Sequence, residues 1–228
     1  MLEIKNIKIS FVKKQVLKGL SGNWETGKIH GVVGHNGAGK TTLFNILTGI
    51  EKADDGEILW NGSPLKPDDI GYLETNNFFY SRITANDYLS LFPASNEQFD
   101  LAAFQAFFQL PLDELIEYYS TGMKKKLALL AILKQKKDIL LLDEPFNGLD
   151  LETNKVLEVT LDLLKQKQKT IIMSSHVLAP LLEVCDYIHY LAAGVIEKTY
   201  TRDQFSEIEK LLFEDLKIKA RKGLGEAI

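Results

Sequence analysis

Residues 29–47, IHGVVGHNGAGKTTLFNIL, restrict the fold of this chain more than any other stretch. Ile29, Val32 and Val33 make a short apolar strand, and from Thr41 onward the residues favour a helix. Between them lies GHNGAGKTT, residues 34–42, whose spacing G-x-x-x-x-G-K-[ST] stands between strand and helix as phosphate binding requires. Gly34, Gly37 and Gly39 are expected to take backbone angles closed to other residues, so that successive N–H groups curl around a phosphate oxyanion, with Asn36 and Ala38 in the same cradle. The helix carrying Thr41 and Thr42 adds unsatisfied N–H groups and the positive end of its dipole. Lys40 brings a full charge to the outer phosphates, and Thr41 offers a hydroxyl to Mg²⁺.

Two further runs, ILLL at 139–142 and TIIM at 170–173, read as strands covered on both faces and, with 29–33, predict a parallel core sheet. Alternation at Leu2, Ile4, Ile7 and Ile9, then 10–12 and 15–17 about a turn at Lys13-Lys14, and 56–60 before the turn Asn61-Gly62, predicts an antiparallel sheet beside it. Residues 87–137 are rich in helix formers: segments 87–92, 99–110, 112–119 and 122–137 are expected to be helical, punctuated by Pro93 and Pro111. Helices over 151–167 and 178–185 follow, then a hairpin turning near Ala193-Gly194 and an amphipathic helix over 203–217. The expected class is α/β: a phosphate-loop core with a largely parallel sheet, an antiparallel β subdomain, and a helical subdomain at 87–137 inserted between 1–86 and 138–228, all in one domain.

A net charge of −4 gives no basic excess, so no nucleic-acid partner is implied. No apolar run approaches the ~18 residues of a membrane span, and the N-terminal MLEIKNIKIS is not a signal peptide. The chain is expected to be cytosolic. Its one cysteine, Cys185, reads as a small buried apolar residue.

A phosphate loop alone names no reaction, so a second metal-binding element is needed. Asp143 and Glu144 end the run that begins at Ile139, at the strand tips where open α/β sheets bind ligands. Asp143 is expected to hold Mg²⁺, as a Walker B aspartate does. Glu144, facing the other way by strand alternation, is placed to polarise a water, or else is a solvated acid. His176 ends the next buried strand on the same rim, as a functional group or a hydrogen-bonded structural one. His30, His35 and His189 share no metal-ligand spacing, so no zinc site is read.

GHNGAGKTT, then YSTGM at 119–123, then Asp143-Glu144-Pro145 running into FNGLD at 146–150, then Ser174-Ser175-His176, resemble in that order the nucleotide-binding subunit of an ABC transporter, over nearly the whole chain. Residues 119–123 resemble the family's signature Leu-Ser-Gly-Gly-Gln, with Tyr119, Thr121 and Met123 departing from it and Ser120 and Gly122 keeping their places. Locally, Ser120 or Thr121 as an N-cap serves equally well. The resemblance implies that two copies, or this chain and a relative, close around ATP, the loop of one facing Ser120, Thr121 and Gly122 of the other, with Asp150 crossing the interface. It implies that Glu144 acts on water, His176 contacts the γ-phosphate, and Phe11 stacks on adenine with Val16 beside it. It also implies a separate integral membrane permease, and a place on the cytoplasmic face of the membrane.

Where the family places a Gln that links metal or water to the helical subdomain, the chain reads IGYLET at 70–75, which puts Thr75 at that position, as a third metal contact through a water, with Glu74 as the alternative. Lys124-Lys125-Lys126 and Lys134, Lys136, Lys137 read as a solvated helix face. Two other functions stay open: a soluble ABC-type ATPase without a channel, such as an iron–sulfur assembly factor, and a low-turnover nucleotide-binding regulator.

Overall fold

The structure, a computed structural model, describes residues 1–12, 14–92, 99–213 and 221. Chain order begins with β1 (Leu2–Phe11), β2 (Lys14–Trp24) and β3 (Ile29–Val33), then α1 (Lys40–Leu47), β4 (Asp55–Trp60), β5 (Ser63–Pro64) and β6 (Ile70–Leu73). The helices α2 (Ala85–Ser90), α3 (Leu101–Phe108) and α4 (Thr121–Lys134) follow. Then come β7 (Ile139–Asp143), α5 (Leu151–Gln166), β8 (Thr170–Ser175), α6 (Leu178–Val184), β9 (Tyr187–Ala192) and β10 (Val195–Thr201). Residues 205–213 are helical.

The expected α/β class with a largely parallel sheet is borne out. One sheet runs β10-β9-β3-β8-β7-β6, parallel except for the β9–β10 hairpin, and a second, antiparallel sheet runs β2-β1-β4-β5. The apolar strands are buried end to end because both faces are covered. Ile29, Leu140, Leu142, Ile171 and Met173 point into the core that packs under α4, α5 and α6, while Val32, Ile139, Leu141 and Ile172 point into a second core with α1 and the antiparallel sheet. Trp24 joins the sheets: fully buried at the end of β2, it stacks on His30 of β3 and His189 of β9.

Several expectations change. Residues 70–73 are a strand, the outer one of the parallel sheet, which short length and an internal glycine had hidden. Residues 112–119 are not an α-helix; only Ile116–Tyr118 turn, as a 3₁₀ element. Their backbone is engaged elsewhere: Asn86 N–H donates to Leu112 O (3.0 Å) and Ile116 N–H to Ile83 O (3.0 Å). The expected turn residue Lys13, Pro93 and residues 214–217 of the expected C-terminal helix lie outside the described residues. Among the described residues no helix is long and apolar enough to cross a membrane.

Lysines of α4 and its C-terminal end are not a purely solvated face. Lys125 is buried, and Lys134 Nζ and Lys137 Nζ donate to Leu89 O (2.7 Å) and Asp68 O (2.6 Å). A stretched aliphatic stem lets each ammonium reach a backbone carbonyl across the packing.

Candidate active site

β3 delivers the chain into the loop at Gly34, whose φ is not in the left-handed region. Glycine is required there for a different reason than the one expected from sequence: a Cβ would lie 2.2 Å from Leu191 O of β9. Gly37 and Gly39 do take left-handed angles, φ 80° and 111°, and Gly39 caps α1 with no side-chain acceptor on its first N–H groups. Ala38 packs beneath the loop, buried, its N–H donating to His35 O (3.1 Å). Lys40 is nearly buried and reaches back along the loop, Nζ donating to Gly34 O (2.7 Å) and His35 O (3.4 Å). Burial lowers its pKa, against the pull of Glu144 and Asp143.

Opposite the loop, β7 ends at Asp143, which is 3% exposed. Both carboxylate oxygens are held: Ser174 Oγ of the neighbouring β8 donates to Oδ1, and Thr41 Oγ1 of α1 approaches Oδ2 at 3.4 Å. Glu144 then leaves the strand in a left-handed conformation, φ 52°, immediately before Pro145. Strand alternation would put its side chain on the far side of Asp143. The turn brings it to the same cleft instead, with Oε2 2.8 Å from Nδ1 of His176.

These groups converge on a cleft of about 530 Å³. Asn36, Gly37, Gly39, Lys40, Thr41 and Thr42 form one wall; Asp143, Glu144 and His176 form the other, and Val16 closes one side. Thr75 is in the wall and Glu74 is not. The oxygen donors Thr41 and Asp143, side by side under a cradle of backbone N–H groups, suit a hard cation paired with phosphates.

Phe11 lines no part of the cleft: it stands 41% exposed at the end of β1, paired with Lys14 of β2, which does line it. Ser120, Thr121, Gly122 and Asp150 lie outside it too. Ser120 Oγ caps α4 by accepting from Met123 N–H (3.2 Å), and Asp150 caps α5 by accepting from Thr153 N–H (2.7 Å), a bond that holds its carboxyl below the usual range. The first turn of α4 lies beside the loop that precedes α5, since a Cβ on Gly122 would lie 3.6 Å from Gly148 O.

Sequence reasoning passed over Lys14 and Asn147, which line the cleft, and Lys125, which underlies the Glu144 turn. Only Lys125 carried a usable signal. It lies four and seven residues before Leu129 and Ile132, on the buried face of α4. Cys185 is buried as expected, which pushes its thiol pKa up.

The family model for ABC transporters matches residues 17–147. The lantibiotic transport ATP-binding protein SrtF of Streptococcus pyogenes is 28% identical over 231 residues, covering 97% of this chain and 100% of that one. A solved ATP-binding subunit of an ABC transporter superposes with a TM-score of 0.86 at 25% identity, covering 94% of this chain and 98% of that one. The dimeric post-hydrolysis state of an ATP-binding cassette with ADP and Pi bound has a TM-score of 0.76 at 19% identity, covering 89% of this chain and 99% of that one. Phosphate cradle, paired acids and family match agree, and the chain belongs to the ABC transporter family as an ATP-binding, ATP-hydrolysing subunit.

Proposed function

We propose that the chain hydrolyses ATP between two copies of itself, or between itself and a relative, and so drives substrate through a separate integral membrane permease, without a nucleic-acid partner. One observation carries the reading: Lys40, Asp143, Glu144 and His176 face a single cleft while Ser120–Gly122 stand outside it, with Thr121 and Gly122 beside Gly148. The cleft therefore holds one half of an ATP site, and the segment capped by Ser120 is free to close a second molecule's. The dimeric cassette among the solved relatives supports this arrangement.

In this reading N–H groups of residues 34–42 and the Lys40 ammonium hold the phosphates, and Val16 lies against the adenine with Phe11 available to stack from the neighbouring strand end. Thr41 and Asp143 would hold Mg²⁺, with Thr75 reaching it through a water. A cation held there would supply neutralisation of phosphate charge. His176 Nδ1–H donates to Glu144 Oε2 and keeps that carboxylate aimed, and with an N–H on both ring nitrogens the other one would donate to the γ-phosphate. Glu144 takes the proton of the attacking water as the new O–P bond forms and the bond to ADP breaks.

The core at 1–86 and 138–228 would work as one domain with a helical subdomain at 87–137 that meets the permease. Phe78 and Tyr80, exposed and packed edge to face 5.2 Å apart just beyond Thr75, give a partner an apolar foothold. Such a chain would sit on the cytoplasmic face of the membrane. Glu144→Gln tests the site: it is expected to bind ATP with wild-type affinity, to lose turnover, and to elute as a dimer in ATP. Wild-type turnover in this variant would remove Glu144 from the reaction.

A further inference from the structure

The turn that carries Glu144 has few supports of its own. β7 ends at Asp143, and beyond it the backbone is held by Glu144 N–H to Ser174 O (3.2 Å), Asn147 N–H to Glu144 O (3.2 Å) and a long Leu149 N–H to Phe146 O (3.5 Å). Glu144 itself is in a left-handed conformation that a non-glycine residue adopts only at an energetic cost. From outside the turn, Ser174 of β8 holds only its first N–H, through O and Oγ (3.3 Å), which leaves the carbonyls to another element.

Lys125 comes from α4, is 7% exposed, and among the described residues directs its ammonium at this turn. Nζ donates to Glu144 O and to Asn147 O, the latter at 2.9 Å. Both acceptors are backbone carbonyls, one on each end of the turn, and both belong to residues that line the cleft. A buried ammonium is expensive, and burial lowers this one's pKa to about 8 although Glu144 and Asp143 draw it up. The neighbouring buried positions of α4 are Leu127, Ala128, Leu129 and Leu130, and an aliphatic residue at 125 would pack there without that desolvation. What the ammonium adds, therefore, is the pair of bonds to the turn.

On the reading of Glu144 as the group that activates water, we propose that Lys125 is a positioning residue, which clamps the carbonyls of Glu144 and Asn147 from α4 and so fixes the direction of the Glu144 carboxylate. It touches neither nucleotide nor water. Its effect passes through the turn.

The test compares Lys125→Ala, Lys125→Arg, Glu144→Gln and the Lys125→Ala/Glu144→Gln pair by steady-state ATP hydrolysis, nucleotide affinity and thermal melting. Lys125→Ala is expected to lower kcat on the order of 10²-fold, since a displacement near 1 Å costs about that much, while KM and ATP affinity stay within about two-fold of wild type. Lys125→Arg keeps donors for both carbonyls and is expected to recover most of the rate. In the Glu144→Gln background the added Lys125→Ala is expected to leave the residual rate unchanged, because no carboxylate remains to be aimed. A folded Lys125→Ala with wild-type kcat overturns the proposal, and so does an equal loss in the Glu144→Gln background, which a purely structural role would give. If Lys125→Ala does not fold, Lys125→Met keeps the aliphatic stem and takes its place in every comparison. Wild-type turnover by Glu144→Gln would instead overturn the parent reading, and this inference with it.

Discussion

Gly34→Ala isolates the cost of moving the phosphate loop against the sheet. Its φ lies outside the left-handed region, so alanine meets no conformational penalty and the whole effect comes from contact. The new methyl would stand 2.2 Å from Leu191 O and 3.2 Å from the Cβ of Ala38. An unstrained carbon stays about 3.3 Å from a carbonyl oxygen, so the overlap is near 1 Å. Leu191 has no room to yield: it is fully buried, in a β9 that is hydrogen-bonded to β3 on one side and β10 on the other. The loop must retreat, taking with it the Gly34 carbonyl on which Lys40 rests. Overpacking of this kind costs about 3 kcal/mol, at the upper end because backbone meets backbone, and for a chain of this length that is roughly 6–12 °C in Tm. The assay is thermal melting without nucleotide, with fluorescent-ATP titration beside it. Gly62→Ala is the control: its φ is 80° and nothing lies within 4 Å of a Cβ, so it shows only the loss of left-handed freedom, roughly 2–4 °C. A Gly34→Ala variant that melts no lower than Gly62→Ala refutes the contact argument. Unchanged ATP affinity would show that the loop binds phosphate without needing this seat.

The permease reading predicts that the tagged chain, recovered from detergent-solubilised membranes, brings an integral membrane protein with it, and that replacing Phe78 and Tyr80 by serine releases that protein while ATP hydrolysis by the chain alone persists; recovery only from the soluble fraction would favour a channel-free ATPase. The paired imidazoles behind the loop predict acid sensitivity. His30 Nδ1 meets His189 Nε2 at 3.0 Å, His30 Nε2 donates to Glu25 O (2.9 Å), and His189 Nδ1 accepts from Thr199 Oγ1 (2.9 Å), so both rings are held neutral. Burial holds His189 at about 3 and lowers His30, with Asp186 and Glu25 opposing and Lys28 adding to the drop. The unfolded chain, near 6.5, takes protons first, so this stability is complete above pH 6.5 and is lost as pH falls from there toward 3. At pH 5 the loss from His189 alone is about 2 kcal/mol. His189→Gln should flatten Tm against pH between 7.5 and 5, and parallel slopes in the two proteins would contradict the assignment.

What could be read from the chain without its structure was whatever chemistry packs into consecutive residues. GHNGAGKTT announces a phosphate cradle because glycines, lysine and threonine must all fall within one turn of chain, and β3, β7 and β8 announce themselves because strands covered on both faces admit almost no polar residue. β6 did not, because four residues carry too short a pattern, and Gly71, which looks like a breaker, is there to admit α4: a Cβ would meet Ile132 Cγ2 at 2.7 Å. Residues 112–119 misled for the opposite reason. Their composition suits a helix, but the bonds offered by the strip at 83–86 compete for the same backbone groups and win. The site shows the same division. Asp143 is legible as the end of an apolar run, whereas the direction of Glu144 is decided by a left-handed turn that alternation cannot foresee and by His176 and Lys125, which approach it from other elements. Lys125 makes the point sharply, since counting charge along KKK assigns it to water and following the 3.6-residue period from Leu129 and Ile132 back to it assigns it to the core. A charge at a core period is costly enough to need a partner, and searching for that partner leads from a run of lysines to the carbonyl of Glu144.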